Sequence, residues 1–159
     1  MSLQPQQKSP IPRRSALYMP GANARALEKA RMLDADCLLL DLEDAVAPDA
    51  KAQARNQICD ALRAGGYGTR EVVVRINGLD TPWGHDGLAA LGELCENQDA
   101  APDAILAPKI STAADIEAVC AHLPDGVALW IMIETPAAIF NLDALAARAG
   151  DTPLVCFVM

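Results

Sequence analysis

The stretch "DCLLLDLEDAVAPDAKAQARNQICDALRAGGYGTREVVVRIN" (residues 36–77) reads as strand, helix, strand. Residues 36–43 are an apolar run that ends in acids. Residues 49–64 are rich in Ala, Lys, Gln and Arg and carry helical spacing up to a stop at Gly65-Gly66. Residues 71–77 are β-branched and extended. Near-continuous apolar strands joined by a helix are the mark of a parallel sheet covered by helices. The unit repeats in both directions. Upstream, "SALYMP" (15–20) is a short strand and 23–34 a helix with Asn23 as its N-cap. Downstream, the turn-rich "GLDTPWGHDG" leads to a helix near 87–96, and "DAILAPKI" (103–110) is a strand. A helix opens at "STAADIEAVCAHL", capped by Ser111 or Thr112; "VALWIMIE" (127–134) is a strand, 137–148 a helix and "PLVCFVM" (153–159) a last strand. This alternation predicts an α/β fold, either a doubly wound sheet or a (β/α)8 barrel.

The 159 residues suffice for one domain with a sizeable core, and 52% hydrophobic with 21% charged is a globular composition. The formal net charge of −8 argues against a nucleic-acid surface, which needs basic patches to displace counterions. No apolar run reaches the roughly 18–20 residues that span a bilayer. The opening "MSLQPQQKSPIPRR" has no apolar h-region, so we expect a disordered tail over 1–12, a folded part over 13–159, and a cytoplasmic protein. Arg13 and Arg14, beside that tail, read as solvated. Five scattered cysteines (37, 59, 95, 120, 156) contain no CxxC pair and read as free thiols.

In both architectures ligands bind at the C-terminal ends of the strands. Those ends carry unusual polarity here: Met19-Pro20-Gly21-Ala22-Asn23 after the first strand, Glu43 and Asp44 after the second, Arg75 and Asn77 on the third, Lys109 on the fourth and Glu134 on the fifth. Alternation places Val73, Arg75 and Asn77 on one face and Val72, Val74 and Ile76 on the other. Trp130, Met132 and Glu134 likewise oppose Val127, Leu129, Ile131 and Ile133. The aliphatic faces suit helices. The other face carries charge that must be paired or metal-bound if it is buried. One reading is a structural network in which Arg75 bridges Glu43, Asp44 or Glu134. The other is a site in which carboxylates hold a hard divalent cation and Arg75 binds an anionic substrate. Asp41, one step deeper than Glu43, reads as structural.

Other motifs carry less. "PGANAR" has one glycine, so it is neither a dinucleotide fingerprint nor a P-loop, although amides at a helix N-terminus favour anions. His122 reads as a surface residue, and His85 is a lone loop histidine. Lys109 is a Schiff-base candidate only if its pKa is depressed.

The motifs "RRSALYMPG", "LLLDLEDAVAPDAKAQAR", "VVVRINGLDTPWGHDGL", "ILAPKI" and "IMIETPAAI", in this order, resemble the citrate lyase β-subunit-like proteins of the HpcH/HpaI aldolase superfamily, relatives of malyl-CoA lyases. The resemblance runs from Arg13 to Met159. It implies a TIM (β/α)8 barrel, of which these residues cover about the first five and a half βα units, assembled as a trimer or hexamer; charge and hydropathy add the expectation of neither nucleic acid nor membrane as partner. It implies Mg2+ and the making or breaking of a carbon–carbon bond between an acyl-CoA and a 2-oxo acid. By position, Glu134 matches a direct metal ligand, Glu43 and Asp44 the acidic pair that orients metal-bound water, and Arg75 the arginine that binds the oxo-acid and its enolate charge. Pro20 and Gly21 match the acyl-CoA side, with Arg25 a CoA-phosphate contact. A second direct ligand, an aspartate, is expected beyond Met159. The rival expectations are a non-catalytic CoA-binding subunit and an aldolase of free 2-oxo acids that needs no CoA.

Overall fold

A computed structural model describes residues 13–96 and 100–159. The expected tail, 1–12, lies outside the described residues. Six strands alternate with helices: β1 (Ala16–Pro20), α1 (Ala24–Ala30), β2 (Cys37–Asp41), α2 (Lys51–Ala64), β3 (Glu71–Arg75), α3 (Gly84–Cys95), β4 (Ala104–Ala107), α4 (Ala113–Cys120), β5 (Ala128–Met132), α5 (Pro136–Phe140), α6 (Leu142–Ala147) and β6 (Leu154–Val158). All neighbouring strands pair in parallel, in the order β1-β2-β3-β4-β5-β6.

That order separates the two architectures left open by the sequence. A doubly wound sheet reverses its strand order and so receives helices on both faces. Here every crossover advances by one strand in the same direction. Right-handed crossovers that never reverse put all helices on one face. The packing agrees. Leu38, Leu40, Val72, Val74, Ile76 and Ile105 join one apolar cluster with α1, α2 and α3. Leu129 and Ile131 join a second with Ile116, Val119 and Leu145. The other face holds a cluster built from strand residues alone: Cys37, Leu39, Val73, Ala104, Leu106 and Trp130. Leu38 and Leu40 are fully buried, each worth about 1.5–3 kcal/mol of transfer free energy.

Local chemistry explains several boundaries. The Asn23 side chain accepts from the Ala26 amide and caps α1. Thr112 and Asp115 form a reciprocal capping box on α4, so Thr112 rather than Ser111 is the cap. Gly65, with φ of 59°, ends α2 as expected. Two expectations need correction. The single helix over 137–148 is broken at Asn141, whose backbone leaves helical geometry (φ −108°, ψ 12°) and whose side-chain amide is tied to the Ser111 carbonyl (2.9 Å). Arg13, though still exposed, is not a free tail residue. Its Nη2 donates to Glu71 Oε1 at 2.6 Å, and its guanidinium lies 4.7 Å from the Trp130 ring centroid. Glu71 is buried at the start of β3 and needs that counter-charge.

Candidate active site at the strand ends

Asp41 and Arg75 sit opposite each other as the last paired residues of β2 and β3, in register with Pro20 of β1. Asp41 is fully buried. It accepts from Arg75 Nε (2.7 Å) and Nη2 (2.6 Å) in a two-pronged pair. The same carboxylate accepts from the Glu43 amide (2.8 Å) and the Ala45 amide (3.1 Å), so it also shapes the turn that carries Glu43 and Asp44. Burial opposes the charge on Arg75, but its bonds to Asp41 and the surrounding carboxylates outweigh that and raise its pKa further. The sequence named Glu43, Asp44 and Glu134 as partners for Arg75. The structure assigns the main pairing to Asp41 instead, with Glu43 and Asp44 as secondary contacts.

The two-pronged pair leaves Nη1 of Arg75 turned toward the strand ends. It approaches Glu43 Oε2 at 2.9 Å and Asp44 Oδ2 at 3.5 Å. The Tyr18 ring centroid lies 4.9 Å from the guanidinium carbon and covers one face of the group. Glu43 is buried whereas the Asp44 side chain is 66% exposed. Lys109 Nζ stands 3.0 Å from Glu43 Oε1. Both Glu43 oxygens are thus within ion-pair distance of a cation, yet neither is engaged in a directional hydrogen bond. Burial pushes the Glu43 carboxyl up, against the lowering pull of Lys109 and Arg75.

Glu134 is exposed just beyond β5 and accepts from the Lys109 amide at 2.7 Å. Lys109 keeps a raised pKa through its close ion pair with Glu43, so it lacks the depressed value a Schiff-base lysine needs. Gly21 is buried against β2: its amide donates to the Asp41 carbonyl at 2.9 Å, and an added Cβ would lie 2.7 Å from that oxygen and from Ile58 Cδ1. Pro20 is half-buried beside it, and Arg25 is exposed on α1.

Sequence reasoning missed Lys51. This first residue of α2 is buried, and its ammonium donates to the Leu42 and Glu43 carbonyls at 2.7 Å each, 5.5 Å from the Trp83 ring centroid. Burial lowers its pKa against the raising effect of Asp41, Glu43 and Asp44. A lysine at a helix N-terminus, where the macrodipole is positive, was the available signal. A cleft of about 280 Å3 lies over these groups, lined by Glu43, Asp44, Lys51, Asn77, Trp83 and Lys109 among others.

The HpcH/HpaI aldolase/citrate lyase family profile matches residues 14–157. The chain belongs to this family. It is 49% identical over 144 residues to a (3S)-malyl-CoA thioesterase of Cereibacter sphaeroides, covering 91% of this chain and 48% of that protein. It is 37% identical over 147 residues to an L-malyl-CoA/β-methylmalyl-CoA lyase of the same species, covering 87% and 45%. Among solved structures, protein CitE of Mycobacterium tuberculosis in complex with magnesium and pyruvate superposes with a TM-score of 0.66 at 26% identity, covering 89% of this chain and 52% of that one. The chain therefore spans about half the length of the relatives it matches.

Among the described residues no helix is long and apolar enough to cross a membrane, and no group of three or more His, Cys, Asp or Glu side chains is placed to hold a metal ion. All five cysteines are free.

Proposed function

We propose that this chain supplies the first six strands of a (β/α)8 barrel and part of an active site for Mg2+-dependent cleavage or formation of a carbon–carbon bond in the acyl-CoA thioester of a hydroxy acid. The observation that carries the reading is the chain of contacts at the strand ends, with Glu43 between Arg75 and Lys109, Asp44 beside Arg75 and Glu134 on the Lys109 amide, in a chain related to enzymes named for malyl-CoA. The donors are hard carboxylate oxygens, which suit Mg2+. The buried oxygens of Glu43, near cations but without directional hydrogen bonds, keep lone pairs for water in such a sphere. Glu134 would ligate the ion directly, and Glu43 with Asp44 would orient its water. When bound, Mg2+ supplies a Lewis acid that polarises the oxo-acid oxygens.

The chain's own residues would supply two further roles, charge stabilisation and a border for the CoA side. In cleavage the hydroxyl loses its proton and becomes the carbonyl of the 2-oxo acid. The carbon–carbon electron pair passes to the thioester as an enolate, which is then protonated. Arg75, held by Asp41 through Nε and Nη2, would offer Nη1 to the 2-oxo acid and the developing enolate charge. The "PGANAR" turn, with Pro20, Gly21 and Arg25, would border the CoA side.

A second reading has its own support: the 49% identical relatives are thioesterases by name. The same site would then hydrolyse the thioester. Malyl-CoA separates the two, since cleavage yields acetyl-CoA and glyoxylate while hydrolysis yields malate and free CoA thiol. Both readings expect Glu134→Ala to lower Mg2+ affinity by at least about ten-fold in titration calorimetry. If malyl-CoA and citramalyl-CoA are left intact with Mg2+ present, and Glu134→Ala leaves metal binding unchanged, the proposal falls. Binding of CoA without turnover would point instead to a non-catalytic CoA-binding subunit.

A further inference from the structure

We propose that Lys109 is a positioning residue that fixes Glu43 and Glu134 relative to each other across the strand ends, and that its left-handed backbone is what lets one residue reach both. The consequence for turnover rests on the function proposed above; the geometry does not.

Lys109 is the only non-glycine residue with positive φ among the described residues, at 55°. A side chain in this region meets its own backbone, and such strain persists only where surrounding contacts impose it. Glycine would relieve it, but glycine has no ammonium. The contacts that impose it run in two directions. The Lys109 amide donates to Glu134 Oε1 (2.7 Å), just past β5, and its Nζ meets Glu43 Oε1 (3.0 Å), just past β2. In the sheet β5 is next to β4, whereas β2 lies two strands away on the other side. Rotation about N–Cα sets the side-chain direction relative to the amide hydrogen. Moving φ from the right-handed value of about −60° to 55° turns the side chain by roughly 115° against the amide. That turn lets the amide serve one neighbour while the side chain crosses to the other.

Burial does not hold the ammonium in place, because the Lys109 side chain is 59% exposed. Its order comes from Glu43, whose two oxygens it shares with Arg75. Lys109 also forms part of the wall of both clefts at the strand ends, the one over Glu43 and a second of about 220 Å3 beside α4. A displaced Lys109 would therefore change the relative placement of the two carboxylates as well as the shape of the space above them.

Four variants and three readouts, turnover, stability and hydrogen exchange, test this on the full chain. Lys109→Met is expected to lower kcat on malyl-CoA by about 10- to 100-fold with KM within about two-fold, the pattern of a group that acts through others in the transition state. Lys109→Arg, which restores the cation, is expected to recover kcat to within roughly three-fold of wild type. Lys109→Gly relieves the backbone and keeps the amide; it should be at least as stable as Lys109→Met and equally slow, separating folding from positioning. Independently of turnover, Glu134→Ala should speed hydrogen exchange at the Lys109 amide by at least about ten-fold while Ile105 and Leu106 keep their wild-type rates. Lys109→Met with kcat within about three-fold of wild type, or a Lys109 amide indifferent to Glu134→Ala, would overturn the proposal. A wild-type protein without turnover refutes the enzyme reading alone, and the exchange comparison then decides the role of Lys109.

Discussion

Removing Asp41 tests the electrostatic framework of the site. Its carboxylate is fully buried and accepts four hydrogen bonds, two from Arg75 and one each from the Glu43 and Ala45 amides. In Asp41→Ala the guanidinium loses its closest counter-charge inside the fold. Arg75 cannot discard its proton to escape, because a guanidinium stays charged in a protein even without a partner. Breaking a buried pair from one side costs about 3–5 kcal/mol. Glu43, 2.9 Å from Nη1, still compensates in part and favours the lower end. The two released amides add roughly 1 kcal/mol between them once water reaches the turn. A net loss of about 4 kcal/mol is expected, and with a urea slope near 2 kcal/mol/M the midpoint falls by about 2 M. Asp41→Asn keeps the volume and one acceptor oxygen, so about half that loss is expected. Urea denaturation followed by far-UV circular dichroism reads both. A variant already unfolded without urea meets the expectation, and Asp41→Asn then supplies the graded value. A midpoint shift under about 0.5 M for Asp41→Ala would refute the claim that this pair anchors the strand ends.

Gly21→Ala places a methyl 2.7 Å from the Asp41 carbonyl and Ile58 Cδ1; overpacking of this kind costs about 1–3 kcal/mol, measurable as a lower urea midpoint. Asp36 is held at about 2, against 3.8, chiefly by hydrogen bonds from the Arg14 side chain. Its contribution to stability is therefore complete above pH 3.8 and is lost as the pH falls toward 2. Asp36→Asn should flatten the melting temperature across that window at low salt, and an unchanged profile would show that the exposed pair contributes nothing.

The face assignments of the strands were readable before any coordinates. Alternation separates Val72, Val74 and Ile76 from Val73 and Arg75, and the packing follows that division, because the pleat leaves a strand residue only two directions. The helix caps Asn23 and Thr112 were legible for a similar reason, since capping acts within three residues. The break at Asn141 was not, because the carbonyl that ties its side chain belongs to Ser111, thirty residues earlier. Lys51 and Arg13 were overlooked or misread for the same reason. Their charges are explained by the turn at Leu42–Glu43 and by Glu71, groups that composition does not bring near them.

By itself the sequence determined the alternation of strands and helices, the aliphatic faces and the accumulation of charge at the C-terminal ends of the strands. These follow from periodicity and local sterics. Only the tertiary structure decided that the sheet winds in one direction, since strand order depends on pairing between distant segments. It alone decided that Asp41 rather than Glu43, Asp44 or Glu134 is the principal partner of Arg75. Both face the same side, and parallel register sets Asp41 directly opposite Arg75 on the neighbouring strand. Glu43 and Asp44 lie beyond the paired residues, where Arg75 reaches them with Nη1 alone.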